Sequence, residues 1–170
     1  KGPVKILVGW APGGGTDAHA RIVGQKLSEV WGRPVVVENK PGATGSLAAE
    51  YFARTRFTEG INLLMAHVNT HAISPQIFRS ITYDPLKDFA PIGEITPGGV
   101  SVLIVAPSVP WKTAAEMIAF ARASPGKLSF GTGGIGTVPH LTTAALAAYA
   151  GVELLHVPYK GAALVMPDLM

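Results

Sequence analysis

Residues 8–22 read VGWAPGGGTDAHARI: an apolar stretch runs into three consecutive glycines and then, through Thr16 and Asp17, into a segment with helical spacing. Glycine weakens a helix or a strand from within, so a glycine run between two such patterns marks a strand–turn–helix junction. One glycine there is the ordinary requirement of a tight turn with positive φ. Gly13, Gly14 and Gly15 together exceed that requirement. They let the backbone approach a ligand closely and aim N–H groups at it, and a helix start of this kind favours anions. Thr16 or Asp17 is the expected N-cap of a helix beginning near Ala18.

The same alternation continues along the chain. Apolar, β-rich stretches at 4–9, 35–38, 61–66, 100–106, 128–130 and 154–157 are separated by segments with helical spacing. The most legible helix is 18–31, where Ile22, Val23, Leu27, Val30 and Trp31 are expected to form one apolar face and Gly32 the stop. Further helices are expected at 46–54, at 113–123 before Ser124-Pro125-Gly126, and near 139–150. Strand and helix in turn imply an α/β fold with largely parallel pairing. The proline-punctuated stretch Ala106-Pro107-Ser108-Val109-Pro110 is the expected boundary, dividing residues 1–106 from 107–170.

A second glycine cluster repeats the logic. In LSFGTGGIGTVPH, residues 128–140, a short strand leads through glycines to a helix whose first turn suits Pro139. Gly131 to Gly136 match G-x-G-x-x-G, the loop of a dinucleotide enzyme, and a fragment of a nucleotide-dependent α/β enzyme is the alternative reading. Against it, Glu153 precedes the strand at 154–157, whereas the ribose-binding acid of that motif ends one. Gly13-Gly14-Gly15-Thr16 lacks the lysine of a P-loop.

Little else points to chemistry. His67 and His71 stand four apart, but they follow an apolar strand and lack the Glu of H-E-x-x-H, so a strand end and loop with polar side chains is expected rather than zinc. His19, His140 and His156 are isolated in the sequence, and no serine sits in G-x-S-x-G. Trp10 either stacks on a ligand or is a buried aromatic. The chain has no cysteine, which removes disulfides and thiolate chemistry. Its 14 Lys and Arg against 11 Asp and Glu are scattered singly, so no basic stripe for nucleic acid exists. No run of about 18 apolar residues suggests a membrane span, and a signal peptide is expected to be absent from this chain. No metal, no cofactor and no catalytic residue is expected.

The series PGGGTDAHARIVGQKLSEVWGRPVVVENKPGATGS, THAISPQIF, DFAPIGEI, FGTGGIGTVPHL and HVPYKGAA resembles, in that order and over nearly the whole chain, the tripartite tricarboxylate transporter solute-receptor family, also called the Bug family. The resemblance implies a bacterial periplasmic solute-binding protein of the type II binding-protein fold. Two lobes would each hold a mostly parallel sheet flanked by helices. Such a receptor captures a small carboxylate, whether di- or tricarboxylate, amino acid or aromatic acid, and presents it to membrane permease subunits.

Carried over by position, the resemblance places ligand contacts in three loops of the first lobe. These are Pro12, Gly13, Gly14, Gly15, Thr16 and Asp17, with Trp10 beside them; Thr44 and Gly45 within Lys40–Ser46; and Thr70 and His71. The opposing lobe would add Thr132, Gly133, Gly136 and Thr137, with Lys160 nearby, so that two glycine-rich helix starts clamp a carboxylate across a cleft. Family members run to nearly twice this length. The second lobe and the return crossover are therefore expected to be incomplete, with Asp168 a further candidate contact. A full-length receptor is expected to be monomeric; for this chain the expectation is either that residues beyond Met170 exist or that it associates with a second copy.

Overall fold

A computed structural model describes residues 2–97 and 101–170. The chain divides into two compact units, Lys1–Pro97 and Gly98–Met170.

The first unit is built on strands β1 (Val4–Val8), β2 (Val35–Asn39) and β3 (Ile61–Leu64), all parallel, in the order β2-β1-β3. The register sets Val4 beside both Val35 and Ile61, and Val8 beside Asn39. Parallel neighbours need a crossover, and helices α1 (Gly15–Trp31) and α2 (Ser46–Arg54) supply the two. From β1 the chain moves to one side of the sheet, and from β2 it returns past β1 to the other. The carboxyl end of β1 is thus a topological switch point, where open α/β sheets leave a crevice for ligands.

The core lies where β1 meets α1. Ile6, Val8 and Ala20 are fully covered, and Trp10, Leu27, Val35, Val37, Leu63 and Met65 pack around them. The face that α1 buries is narrower than its hydrophobic spacing suggests: Asp17, Ala20 and Gly24 are buried, whereas Ile22 and Val30 are exposed. Small residues decide this, because a Cβ on Gly24 would touch Ile6 Cδ1 and Val35 Cγ1 at 3.4 Å, so the bare position brings α1 close to the sheet. Gly32 ends α1 in the left-handed conformation, as expected.

Helix α2 packs against the end of β1. A Cβ on Gly9 would lie 2.8 Å from both Gly45 Cα and Gly45 O and 3.3 Å from Ala48 Cβ, so these two turns of backbone touch directly. After β3, His67 lies in a loop as expected, but His71 does not. A π-helical turn over Asn69–Ile73 runs straight into α3 (Ser74–Ile77), and His71 N–H donates to His67 O at 3.0 Å.

In the second unit, α4 (Ala114–Ala123) opens with a full capping box in which Thr113 and Glu116 satisfy each other's backbone N–H. Strands β4 (Ser129–Thr132) and β5 (Leu155–Pro158) pair in parallel, joined by α5 (Val138–Ala150). A short helix, α6 (Met166–Leu169), follows. The expected strand at 100–106 does not form: Val100 lies outside the described residues, and residues 101–106 join no ladder. High β-propensity makes a strand only where a sheet edge accepts it, and Val102 to Val105 stand exposed instead.

Gly9→Val should force the backbone of Gly45 to move and cost about 1–3 kcal/mol, the usual penalty of overpacking. Urea unfolding should show a lower midpoint at unchanged slope, and an unaltered midpoint would contradict the direct contact.

Candidate functional site

The three strand-to-helix loops of the first unit meet at the switch point. The turn after β1 begins with Trp10, whose ring packs edge-on to His67 at 5.5 Å between centroids. The turn after β2 brings Gly45 beneath the same ring, since a Cβ there would sit 3.4 Å from Trp10 Nε1 and 2.8 Å from Thr70 Cγ2. Ala43, Thr44 and Gly45 all hold positive φ, at 46°, 55° and 89°. Such backbone costs an L-residue roughly 1–2 kcal/mol and collects at functional sites. Trp10, Gly45, Thr70 and His71 are therefore brought together.

Two hydrogen-bond networks hold these loops. In the first, the carboxylate of Asp17, inside the first turn of α1, is almost wholly covered. It accepts from Gly13 N–H at 3.0 Å, from Arg21 Nε and NH2 at 2.9 and 3.0 Å, and from Asn39 Nδ2 at 2.9 Å. Asn39 Nδ2 also donates to Trp10 O at 3.0 Å. The Arg21 guanidinium, with these N–H donors, outweighs burial and lowers the Asp17 pKa from 3.8 to about 2. Asp17 is thus spent on shaping the glycine turn. Nor does it or Thr16 cap the helix as expected; the N-cap is Gly14, in extended backbone and without a side-chain cap. A helix leaves its first-turn N–H groups without intrahelical acceptors, and a glycine cap supplies none.

The second network centres on Thr70. Its hydroxyl donates to His67 O at 2.9 Å and lies 2.7 Å from His71 Nδ1, while Tyr83 OH donates to Thr70 O at 2.6 Å. The His71 ring meets Phe89 edge-on at 4.6 Å. Burial holds the pKa values of His67 and His71 below that of an ordinary histidine, so both are neutral at pH 7. Among the described residues no group of three His, Cys, Asp or Glu is arranged to hold a metal ion.

The glycines divide into two kinds. A Cβ on Gly13 or Gly15 would find nothing within 4 Å, and one on Gly14 only Ala11 O at 3.7 Å. Gly13 needs its bareness for a φ of 84°; nothing in the chain's own packing demands it at Gly14 or Gly15. In the second unit the reverse holds. A Cβ on Gly131 would strike Val165 Cγ1 at 2.6 Å, and one on Gly133 would come within 3.1 Å of Ala162 N. The G-x-G-x-x-G run is thus partly filled by the chain itself, which gives those glycines a packing role where a dinucleotide loop would keep them open.

Thr132 and Thr137 turn their hydroxyls inward. Thr137 Oγ donates to Gly134 O at 2.8 Å and caps α5 by accepting from His140 N–H at 3.4 Å. Thr132 Oγ lies 3.2 Å from Gly134 O and 2.7 Å from His156 Nε2. Gly136 is buried, Pro12 and Lys160 are exposed, and Thr16 and Thr44 are intermediate. Asp168 accepts from Tyr159 OH at 2.6 Å. Sequence reasoning missed Arg21, Asn39 and Tyr83. The i, i+4 spacing of Asp17 and Arg21 was a usable signal; Asn39 and Tyr83 are brought in only by the fold.

A family model described as "Tripartite tricarboxylate transporter family receptor" matches residues 19–170, and the chain belongs to that family. The "UPF0065 protein in gbd 5'region" of Cupriavidus necator is 38% identical over 169 residues, covering 99% of this chain and 50% of its own length. Among solved structures, R. palustris Rpa4515 with adipate is 32% identical with a TM-score of 0.84, over 98% of this chain and 55% of that one. MatC (Rpa3494) from Rhodopseudomonas palustris with bound malate is 26% identical with a TM-score of 0.83, over 98% and 56%. The chain spans about half the length of the curated relatives it matches. The family is one of transport receptors, and the enzyme-fragment alternative is not favoured.

Because the folded pKa of Asp17 is depressed, its contribution to stability is present above pH 3.8 and is lost as pH falls towards about 2. With Arg21 half exposed and screened, that contribution is about 1–2 kcal/mol. Chemical denaturation of Asp17→Asn should show a loss of this size at pH 7 and a flatter acid limb below pH 4; an acid limb identical to the parent's would contradict the assignment.

Proposed function

We propose that this chain binds a small organic carboxylate, with the backbone N–H groups around Gly14, Gly15 and Thr16 as its anion donors and the Gly133–Thr137 turn of the second unit as a further contact for the same class of ligand. The observation that carries this is the open space beside Gly14 and Gly15 at the switch point of the sheet. The chain keeps two side-chain-free positions that its own packing does not require, next to an uncapped helix start. A carboxylate uses both features, because it must come close to the backbone and it gains from the N–H groups and the positive helix end. Each helix end contributes roughly 0.3–1 kcal/mol when exposed, towards about 2 when partly buried. Charge-assisted hydrogen bonds add to that.

Thr44, Thr70, His71 and Trp10 line the same end of the sheet and would contact the remainder of the ligand. With His71 neutral, the cations near this end of the sheet among the described residues are engaged elsewhere: Arg21 by Asp17, and Lys40 over the Tyr51 ring at 4.3 Å. Selectivity among acids therefore falls to shape and hydrogen bonding. Relatives solved with adipate and malate support the ligand class, and membership in a transporter-receptor family supports a periplasmic role in handing the ligand to membrane permease subunits. Among the described residues no helix is long and apolar enough to cross a membrane.

Calorimetric titration with adipate, malate, tricarboxylates, amino acids and aromatic acids, beside NAD and ATP, tests the reading. Saturable binding of at least one carboxylate and none of the nucleotides is expected; binding of a nucleotide alone would overturn it. Gly14→Val should keep its stability within about 1 kcal/mol of the parent's, since only a cap preference changes, yet weaken the carboxylate at least tenfold. Retained affinity in the folded variant would remove that turn from the site.

A further inference from the structure

His140 and His156, isolated in the sequence, are a stacked pair in the second unit, with ring centroids 4.1 Å apart. The Phe130 ring lies 4.8 Å from His156 and 6.4 Å from His140, so the three rings cluster beside the glycine turn. Each imidazole is bonded to that turn. Gly136 N–H donates to His140 Nδ1 at 3.1 Å, and His156 Nε2 lies 2.7 Å from the Thr132 hydroxyl, which in turn accepts from Gly134 N–H at 3.3 Å.

The first of these bonds fixes a protonation state. An N–H can donate only to an imidazole nitrogen without a proton, so His140 is neutral and carries its hydrogen on Nε2. Protonating Nδ1 would set one donor against another and break the bond to Gly136. The second bond is less demanding, because a hydroxyl accepts from a protonated His156 as readily as it donates to a neutral one.

We propose that His140 and His156 are positioning residues of the Gly133–Thr137 turn, that neutral His140 is the acceptor which latches Gly136, and that acidification opens this latch. The link from latch to ligand rests on the reading of that turn as a carboxylate-binding element.

Among the described residues, the side chains in ring or hydrogen-bond contact with the pair are uncharged. From β4 it meets Phe130 and Thr132, neither charged, and from β5 His156 faces His140. Arg122 of α4 is held at the opposite end of α5 by Ala150 O at 2.7 Å, and Tyr159 and Asp168, past the end of the sheet, bond to each other. Burial first and the neighbouring His140 second push the His156 pKa down. Two cations stacked this closely would repel each other.

Histidine side-chain and amide NMR on the whole chain tests the latch without any ligand. At pH 8 the His140 ring should be the Nε2–H tautomer, and between pH 8 and pH 5 the Gly136 amide should shift with the midpoint of that ring. An Nδ1–H tautomer, or a Gly136 amide indifferent to the titration, would overturn the proposal. His140→Asn retains an acceptor that does not titrate and should abolish the pH response of Gly136; a persisting response would also count against it. His140→Phe keeps a stacked ring without the acceptor and should show the acid-form Gly136 signal already at pH 8. Should it fail to fold, the parent and the Asn variant still decide. With adipate and malate as probes, the change in affinity from pH 7.5 to 5.5 should differ at least fivefold between the parent and His140→Asn, protonation of the acid itself being common to both. Equal pH dependence in the two would cut the link between latch and ligand. If neither acid binds at any pH, the functional reading fails while the NMR result on the latch stands by itself.

Discussion

The first unit depends on one buried carboxylate. Asp17 ties the start of α1 to the glycine turn through Gly13, to the end of β2 through Asn39, and to the surface through Arg21. Asn39 passes the connection on to Trp10 O. A turn with three glycines has more freedom to lose on folding than any other, and a site that depends on N–H groups pointing in one direction cannot leave that freedom unspent. The covered, low-pKa Asp17 converts a flexible stretch into a fixed one. It also keeps a negative charge beside the place proposed for an anion, and its pairing with Arg21 neutralises that charge locally.

A side-chain-free position can serve the protein's own packing or leave room for something else. Gly9, Gly24, Gly45 and Gly131 are of the first kind, because a Cβ on any of them meets a neighbour at or below 3.4 Å. Gly14 and Gly15 are of the second kind. This difference, rather than the glycine count, separates the turn after β1 from the G-x-G-x-x-G run after β4, where Val165, Tyr159 and Ala162 already crowd the backbone.

The alternation of strands and helices was legible because β1, β2 and β3 are short apolar runs bounded by Gly, Pro and Asn, and because α1 ends at a glycine. Local pattern failed where a neighbour decides. The apolar spacing of α1 pointed to Ile22 and Val30, but the close approach through Ala20 and Gly24 set the buried face. The stretch after Val100 has the composition of a strand and no ladder in which to be one. At the site, the glycine turns and Thr70 were readable as motifs. Arg21 was half visible through its spacing from Asp17, and Asn39 reaches the same carboxylate only because β2 lies parallel to β1 in register. His140 and His156 lie on either side of a crossover, and only the parallel pairing of β4 with β5 brings their rings together.

The central claim is that backbone N–H groups of an open glycine turn hold a carboxylate. A two-dimensional amide NMR titration of the whole chain with adipate and with malate tests it most directly, since it reads those N–H groups themselves. Saturable shifts greatest at Gly14, Gly15 and Thr16, and present at Gly133 to Thr137, are the predicted result. Saturable binding that leaves the amides of residues 13–17 unmoved would contradict the account.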